Sequence, residues 1–366
     1  MTSKARQLAQ TASAPEGRKN IVINGAMNVC QRATSKSGLG ANTDSGYHVQ
    51  DRFDLVLAGS TAGRFTMSQD TDAPSGFGAA MKLDCTTADT SIAADEFFAI
   101  SYQIEGQDLQ QLAKGTSDAK QLTVSFFAKA NASKTYVVEL KDHDNNRTCS
   151  QTYTVGTSYS RIELTFPVDT TGELDNDNAR SFAIIFYFHV GSTYTSGTLQ
   201  TAWGSQTTAN RAVGCESIFS STDNTFFMTG LQMEIGSVAT EFEHRSFGEE
   251  LELCQRYYQK TYPYSTAPGT ATLSGIVGTT LRQSDQQTGF IEGDFQFTSR
   301  MRAAPTMTVY DRDGTSGKVN YYIGGSTTAN FTATIVLIVD KGFSFFSDNS
   351  TTKGGVRFAY EADAEL

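Results

Sequence analysis

Charge is scarce in this chain. Only 19% of its 366 residues are Asp, Glu, Lys or Arg, against about a quarter in ordinary globular domains. The wetted surface therefore has to be made from Thr, Ser, Asn, Gln and Gly. Long apolar runs are missing too. The longest, Phe182 to Val190, is of strand length, far short of the roughly 20 residues a membrane helix needs, so no membrane insertion is expected. Cysteine appears five times, at Cys30, Cys85, Cys149, Cys215 and Cys254. An odd number, widely spaced and without a CxxC pair, argues against a zinc site or a redox motif. It predicts thiols packed as small apolar side chains. The four histidines, His48, His143, His189 and His244, never sit beside a Ser or Cys in a nucleophile motif. GxSxG, HExxH, Walker and Rossmann patterns are absent. No catalytic residue and no cofactor is expected, and the chain does not read as an enzyme.

The net charge is −10. An acidic chain repels phosphate backbones and anionic lipid, so nucleic acid is not an expected partner. The first nineteen residues run the other way: Lys4, Arg6, Arg18 and Lys19 face only Glu16. This Ala/Gln/Ser-rich stretch lacks the apolar run of a secretory signal.

What the sequence has in quantity is period-two alternation of apolar and polar residues. It recurs at Arg52–Leu57, Arg64–Ser68, Met81–Cys85, Phe97–Ile104, Leu122–Lys129, Tyr136–Lys141, Arg161–Val168, Ser181–Val190 and Phe226–Ile235. In the last of these, Phe227, Leu231, Met233 and Ile235 are expected on one face, with Gln232 and Glu234 on the other. Asn20 to Asn24 reads as a short strand feeding an Asn24–Gly25 turn. About nine or ten strands between turn clusters predict a two-sheet sandwich of jelly-roll form. Gly106–Lys114 is a helical pattern of one or two turns.

A longer helix is signalled after residue 245. Ser246 and Glu249 form a capping box, and Phe247, Leu251, Cys254 and Tyr258 share a stripe at helical spacing. Glu249, Glu250 and Glu252 suit the positive end of the dipole and Lys260 the other. Pro263 and Pro268 stop it, giving about 13–15 residues. The stripe is expected to pack against a domain or a neighbouring subunit. Alternation then resumes at Thr272–Leu281, Gly289–Thr298, Thr306–Tyr310, Lys318–Ile323, Phe331–Val339, Gly342–Phe346 and Val356–Tyr360. The expected fold class is mainly β. It comprises an N-terminal arm (1–19), a jelly-roll-like β-sandwich (20–245), a connecting helix (246–262) and a C-terminal β-sandwich (263–366).

Polar clusters offer little chemistry. Asp142-His-Asp-Asn145 pairs carboxylates with a histidine as a cation site would, but it lies where a hairpin turn is due. Asp311-Arg-Asp-Gly314 lacks the downstream Glu of a calcium loop and also reads as a turn. Asp169 to Asp177 is an acidic loop. No metal ligand set follows from these. Sugar binding needs an aromatic face, and the lone tryptophan, Trp203, lies in a Gly/Ser/Thr-rich loop with Tyr194 nearby. The alternative is that Trp203 plugs the sandwich core or a subunit seam.

Several stretches resemble bacteriophage virion proteins of the tail-fibre or appendage kind. The strongest is 226–258, FFMTGLQMEIGSVATEFEHRSFGEELELCQRYY, similar to a "TGVQLEVG…ATPFEHR…GEELALCQRYY" segment of that family, with Glu241 where a Pro is usual. "INGAMNVCQR", "DRF", "FFAISYQIEG…LTVSFFAKA", "MRAAPTMTVYD" and "GGVRFAYEADAEL" add to it. The resemblance implies a non-enzymatic virion structural protein with a carbohydrate-binding-module-like jelly roll. In that role it is a tail-fibre subunit, made in the host cytoplasm and located in the virion. It further implies a homotrimer and anchoring to other tail or capsid proteins through the basic arm (Lys4, Arg6, Arg18, Lys19). The outward β-domains would meet a host-surface glycan. One structural calcium is compatible with the family but not located. A capsid decoration or spike protein, and a secreted carbohydrate-binding accessory protein, are the alternatives.

Overall fold

The alternating segments become antiparallel strands in the computed structural model, which describes residues 18–280, 290–323, 326–332, 334–348 and 355–366. Thirteen strands precede residue 236: β1 (Ser35–Leu39), β2 (Gly46–Tyr47), β3 (Phe53–Ala58), β4 (Arg64–Asp70), β5 (Ala80–Thr87), β6 (Phe97–Glu105), β7 (Leu122–Ala130), β8 (Lys134–Asp142), β9 (Arg147–Val155), β10 (Ser160–Phe166), β11 (Arg180–Val190), β12 (Gly204–Ser205) and β13 (Thr225–Ile235). They form a six-stranded sheet, ordered β1-β4-β5-β13-β7-β10, and a seven-stranded sheet, ordered β12-β9-β8-β11-β6-β3-β2. The two pack face to face over one core that includes Phe53, Phe65, Phe98, Phe126, Tyr136, Phe186, Phe188 and Phe226. All five cysteines are free thiols and four are buried. The Gly106–Lys114 pattern resolves into two 3-10 turns, Gly106–Asp108 and Gln110–Leu112.

One face assignment needs correcting. The register of β13 against β7 shifts between Thr229 and Gln232. Gly230 sits there at φ +66°, where a Cβ would lie 2.7 Å from the Phe77 ring. Such a bulge inverts the alternation. Phe226 and Met228 enter the core before it, Leu231 and Met233 after it. Phe227 therefore lies on the opposite face from Leu231, under Lys82 and Lys129. The segment before Gly25 is coil rather than strand. It docks on the bulged strand through Ile21 N–H to Met233 O (3.0 Å) and Leu231 N–H to Gly25 O (2.9 Å).

After a single-turn helix α1 (Ser192–Thr195), the longer helix is α2 (Phe247–Gln255). Ser246 caps it, its Oγ accepting from Glu249 N–H at 3.3 Å. Nine residues are fewer than expected, and Tyr258 is not helical. It opens β14 (Tyr258–Lys260), which pairs with the last strand, and that ladder replaces further helix. Cys254 is buried, Leu251 half-buried, and Phe247 exposed at 47%, edge-on to Tyr264.

The rest of the chain adds β15 (Val277–Thr280), β16 (Phe290–Gln296), β17 (Thr306–Tyr310), β18 (Lys318–Ile323), β19 (Ser326–Thr332), β20 (Thr334–Val339), β21 (Gly342–Asp348) and β22 (Gly355–Asp363). Strand β22 is the spine: β14 and β17 flank one half of it, β15 and β18 the other. The β16-β21-β20 sheet covers it, with Phe295 and Phe343 against Phe358 and Tyr360.

Residues 363–366 tie this second core to the first. Arg52, 1% exposed, pairs with Glu365, donates to Gln103 O at 2.7 Å and lies 3.4 Å from the Tyr257 ring centroid. Arg32 bridges Asp363 (2.8 Å) and Glu365 (3.5 Å) over the Tyr258 ring (3.7 Å). Glu105, fully buried, takes both Arg256 nitrogens (2.9 and 2.7 Å) and the Tyr257 hydroxyl (2.5 Å). Removing one partner of a buried ion pair strands the other. Arg52→Met is accordingly expected to cost about 3–5 kcal/mol in denaturant melts, and Glu365→Gln, which keeps an acceptor, distinctly less.

Candidate functional site

The seven-stranded sheet has a second face, turned away from the core. Inward residues of β11 are Phe182, Ile184, Phe186 and Phe188, so Ala183, Ile185 and Tyr187 point outward. The register then sets rows across five strands. One runs Asp54, Ser101, Ile185, Glu139, Ser150, and the next pairs Gln103, Ala183, Lys141 and Thr148. At one end the segment 191–215 covers the face. Tyr194, Leu199 and Ala212 pack there with Phe97, Val137 and Tyr187. The remainder has a floor of short side chains flanked by long charged ones.

Six of the fourteen buried side-chain polar atoms that have no partner among the described residues belong to this face: Ser101 Oγ, Gln103 Oε1, His143 Nε2, Thr148 Oγ1, Ser150 Oγ and Ser181 Oγ. The inward faces of the same strands are mostly apolar, and two further atoms of this kind, the Tyr136 and Tyr153 hydroxyls, lie on them.

The charged groups here are mutually perturbed. Burial raises Asp54 to about 6. Burial lowers Lys141, as do Arg211 and Arg180, while Glu139 works against them. His143 is pushed down to about 3 by burial and by Arg180, Lys141 and Arg211. Glu139 itself is spoken for: Arg211 binds it in fork fashion (2.6 to 3.1 Å) and the Tyr187 hydroxyl donates to it at 3.0 Å.

The residues singled out from sequence are dispersed. Tyr194 stands at the covered end of this face, 5.2 Å from the Phe97 ring. Trp203 is elsewhere, half-buried at an end of the sandwich. Its Nε1–H donates to Pro167 O (2.9 Å) and its ring meets Phe182 and the Lys114 ammonium. The structure therefore does not bring Trp203 and Tyr194 together. Arg18 and Lys19 lie along the sandwich, Lys19 Nζ donating to Thr240 Oγ1 (2.8 Å) and Glu241 O (2.7 Å). Lys4 and Arg6 fall outside the described residues.

The two acidic segments do converge, but on a lysine. Lys114 Nζ pairs with Asp142 and with Asp169 (3.0 Å), and donates to the Thr171 and Gly172 carbonyls (3.2 and 2.9 Å). An ammonium thus occupies the centre that two carboxylates and two carbonyls would offer a cation. Burial pushes Asp169 up, but Arg147 and Lys114 hold it below the usual carboxylate range. Asp311 caps its own turn, accepting from Asp313 and Thr315 N–H (2.9 and 2.8 Å).

Sequence reading missed a third cluster, Asp89, Glu96 and His189, whose ligand atoms lie within 4.8 Å of one another. It is a closed network. Asp89 accepts from Thr61 Oγ1 (2.9 Å), Ala62 N–H (2.7 Å) and Ser91 N–H (3.0 Å). His189 contacts Ser217 Oγ (2.7 Å) and Glu96 (2.9 Å). Ser217 Oγ already accepts from Phe219 N–H. The consistent assignment has the Ser217 hydroxyl donating to Nδ1 and Nε2–H donating to Glu96. The outer face was missed as well. Its signal was the unbroken apolar run of β11, which implies cover on both sides of the sheet.

No family model matches the chain, and no curated protein matches its sequence. Among solved structures it is similar to a family 4 carbohydrate-binding module (TM-score 0.29, 10% identity, 58% of this chain and 98% of that one). It is also similar to the family 11 module from Clostridium thermocellum, in complex with a β-1,3-1,4-mixed-linked tetrasaccharide (0.29, 13%, 57% and 99%). A third is the enzymatically active domain of tailspike protein 4 of bacteriophage CBA120 (0.31, 11%, 59% and 21%). Likeness at this level carries no ligand, partner or activity over to this chain.

The depressed His143 gives a pH test. Its folded value of about 3 lies below the ordinary histidine value of 6.5. The unfolded chain therefore takes up a proton that the folded chain refuses, and stability is lost as pH falls from 6.5 towards 3. Between pH 7 and pH 4, His143→Gln is expected to lose less stability than the parent, by on the order of 2 kcal/mol. Urea melts at the two pH values read the difference.

Proposed function

We propose that the outer face of the seven-stranded sheet binds a saccharide, and that the chain recognises glycan without turning it over. The observation that supports this is the concentration of six unpartnered polar atoms on a single sheet face. Each such atom costs about 1–3 kcal/mol of folding free energy; all six are buried among the chain's own side chains, so a ligand rich in hydroxyls supplies the donors and acceptors they lack where it displaces that cover.

The sequence resemblance extends the proposal to a setting. The chain is a subunit of a phage tail fibre, a homotrimer held to the particle by residues 1–19, with the glycan on the host surface. That extension rests on the matching segments and not on the fold.

Three outcomes test these statements. Ser101→Ala removes an unpartnered hydroxyl, so melting should be unchanged or raised by up to about 1 kcal/mol. Retardation in polysaccharide-containing gels should nevertheless weaken about ten-fold if the face is the site; equal retardation of both forms would place the site elsewhere. Deleting residues 1–19 should leave the protein folded and keep it out of purified particles; undiminished incorporation would remove the anchor. Particles imaged with the chain on capsomers would favour the decoration alternative.

A further inference from the structure

One pair of buried acids has no arginine or lysine to answer it. Asp89 and Glu96 flank the exposed loop 90–95 between β5 and β6, and His189 lies near the end of β11. The ligand atoms of the three lie within 4.8 Å of one another, and the residues are 6%, 3% and 0% exposed. Burial pushes Asp89 up, but Thr61, the Ala62 and Ser91 amides and His189 hold it below the usual carboxylate range. Elsewhere Asp51, Glu105, Glu139, Asp142, Asp169 and Glu250 are buried acids that each meet an arginine or lysine. Glu234 and Asp311 are satisfied by neutral donors. Asp89 and Glu96 share one small space, and neither pairs with an arginine or lysine among the described residues. Two carboxylates so close and out of water are costly unless a cation joins them.

A break in strand register delivers the histidine. Strict alternation would put His189 on the outer face with Tyr187. The pairing of β11 with β6 shifts between Tyr187 and His189, which sets His189 opposite Phe98, a core residue. Bulges of this kind re-aim side chains. Here the imidazole turns in to Glu96, with Nε2 2.9 Å from Oε2. Nδ1 meets Ser217 Oγ at 2.7 Å, and Asp89 is oriented by its three donors. A fixed imidazole and a fixed carboxylate are what metal ligands receive from their surroundings. Glu96 Oε1 accepts no hydrogen bond among the described residues. The contact between His189 and Glu96 rests on one exchangeable proton, on Nε2. Moving it to Nδ1, where Ser217 Oγ has a second lone pair to accept it, frees the Nε2 lone pair for a metal.

We propose that Asp89, Glu96 and His189 bind one divalent metal ion of the zinc class, which ties the loop 90–95 to the end of β11. One imidazole with two carboxylates suits zinc and its transition-metal neighbours, whereas calcium takes oxygen ligands and more of them. Two of the three ligands stand at the ends of the exposed loop, so an ion reaches the site by the opening of a surface loop rather than of the core. The inference does not depend on the glycan-binding reading.

The test is the metal content of the full chain, stripped with a chelator, incubated with zinc chloride, desalted and read by elemental mass spectrometry. Wild type should retain one zinc per chain and melt at a higher temperature than the stripped protein. Glu96→Gln keeps the size of the side chain and should weaken zinc binding at least about ten-fold in competition with a chromophoric chelator, as should His189→Gln. If His189→Gln does not fold, Glu96→Gln and Asp89→Asn carry the comparison. His244→Gln, at an exposed histidine, is the control and should leave retention unchanged. Wild type that retains no zinc would overturn the proposal. So would retention that Glu96→Gln leaves intact, or that His244→Gln removes. Calcium chloride raising the melting temperature as far as zinc chloride would overturn the assignment to the zinc class.

Discussion

A single buried guanidinium holds three parts of this chain in register. Arg52 comes from the loop before β3, Tyr257 from the end of α2 and Glu365 from the tail of β22. An unpaired charge at that depth would cost several kcal/mol, so none of the three can leave without the others. Arg32 repeats the device one step outward with Asp363, Glu365 and Tyr258. Glu105 repeats it with the signs exchanged. The second β-unit is consequently docked by paired ions and aromatic faces rather than by a broad apolar seam. The connecting segment is correspondingly short: nine residues of helix, then directly a strand of the second unit.

The same economy explains the segment 20–25. It makes no regular strand, yet almost every group in it is used. Arg245 donates to the Asn20 and Val22 carbonyls (2.6 and 3.1 Å), and Glu250 accepts from Asn24 N–H (2.6 Å). The Asn24 amide bridges Val29 O and Asp51 O (2.8 and 2.9 Å). Asn24 takes φ +60°, a left-handed value that asparagine tolerates better than most residues. The bulge at Gly230 opens the neighbouring strand to receive this plug. The quoted "INGAMN" and "TGLQMEIG" stretches therefore meet in space.

Local pattern made much of the fold legible. Thr306–Tyr310 and Lys318–Ile323 are strands as expected. It failed where a non-local partner decides. Tyr258 fits a helical stripe, but the ladder to Asp363 claims its backbone. Phe227 fits an alternation that a bulge inverts. Asp142 and Asp169 lie in separate acidic segments, and only the fold reveals that they converge on Lys114, far from both in sequence. The outer face was the least legible part, because Ser101, Gln103 and Lys141 are unremarkable one strand at a time. Register alone makes them neighbours.

Charge scarcity gives the contrast between the two polar regions its force. With so few ionisable residues, each cluster reflects a definite use. At the joint Arg32 and Arg52 each find a carboxylate and an aromatic ring, and Arg302 donates to the Asn178, Ala364 and Glu365 carbonyls. In the Lys114 cluster the ammonium is saturated by acids and carbonyls, again an arrangement closed on itself. On the outer face the pattern is different. Neutral polar atoms, Ser101 Oγ, Thr148 Oγ1, Ser150 Oγ and Ser181 Oγ among them, stay without partners among the described residues. Stability would favour pairing these groups or replacing them with apolar ones. A region that does neither, in a chain that elsewhere satisfies its buried charges, is the part of the fold whose chemistry points away from the protein itself.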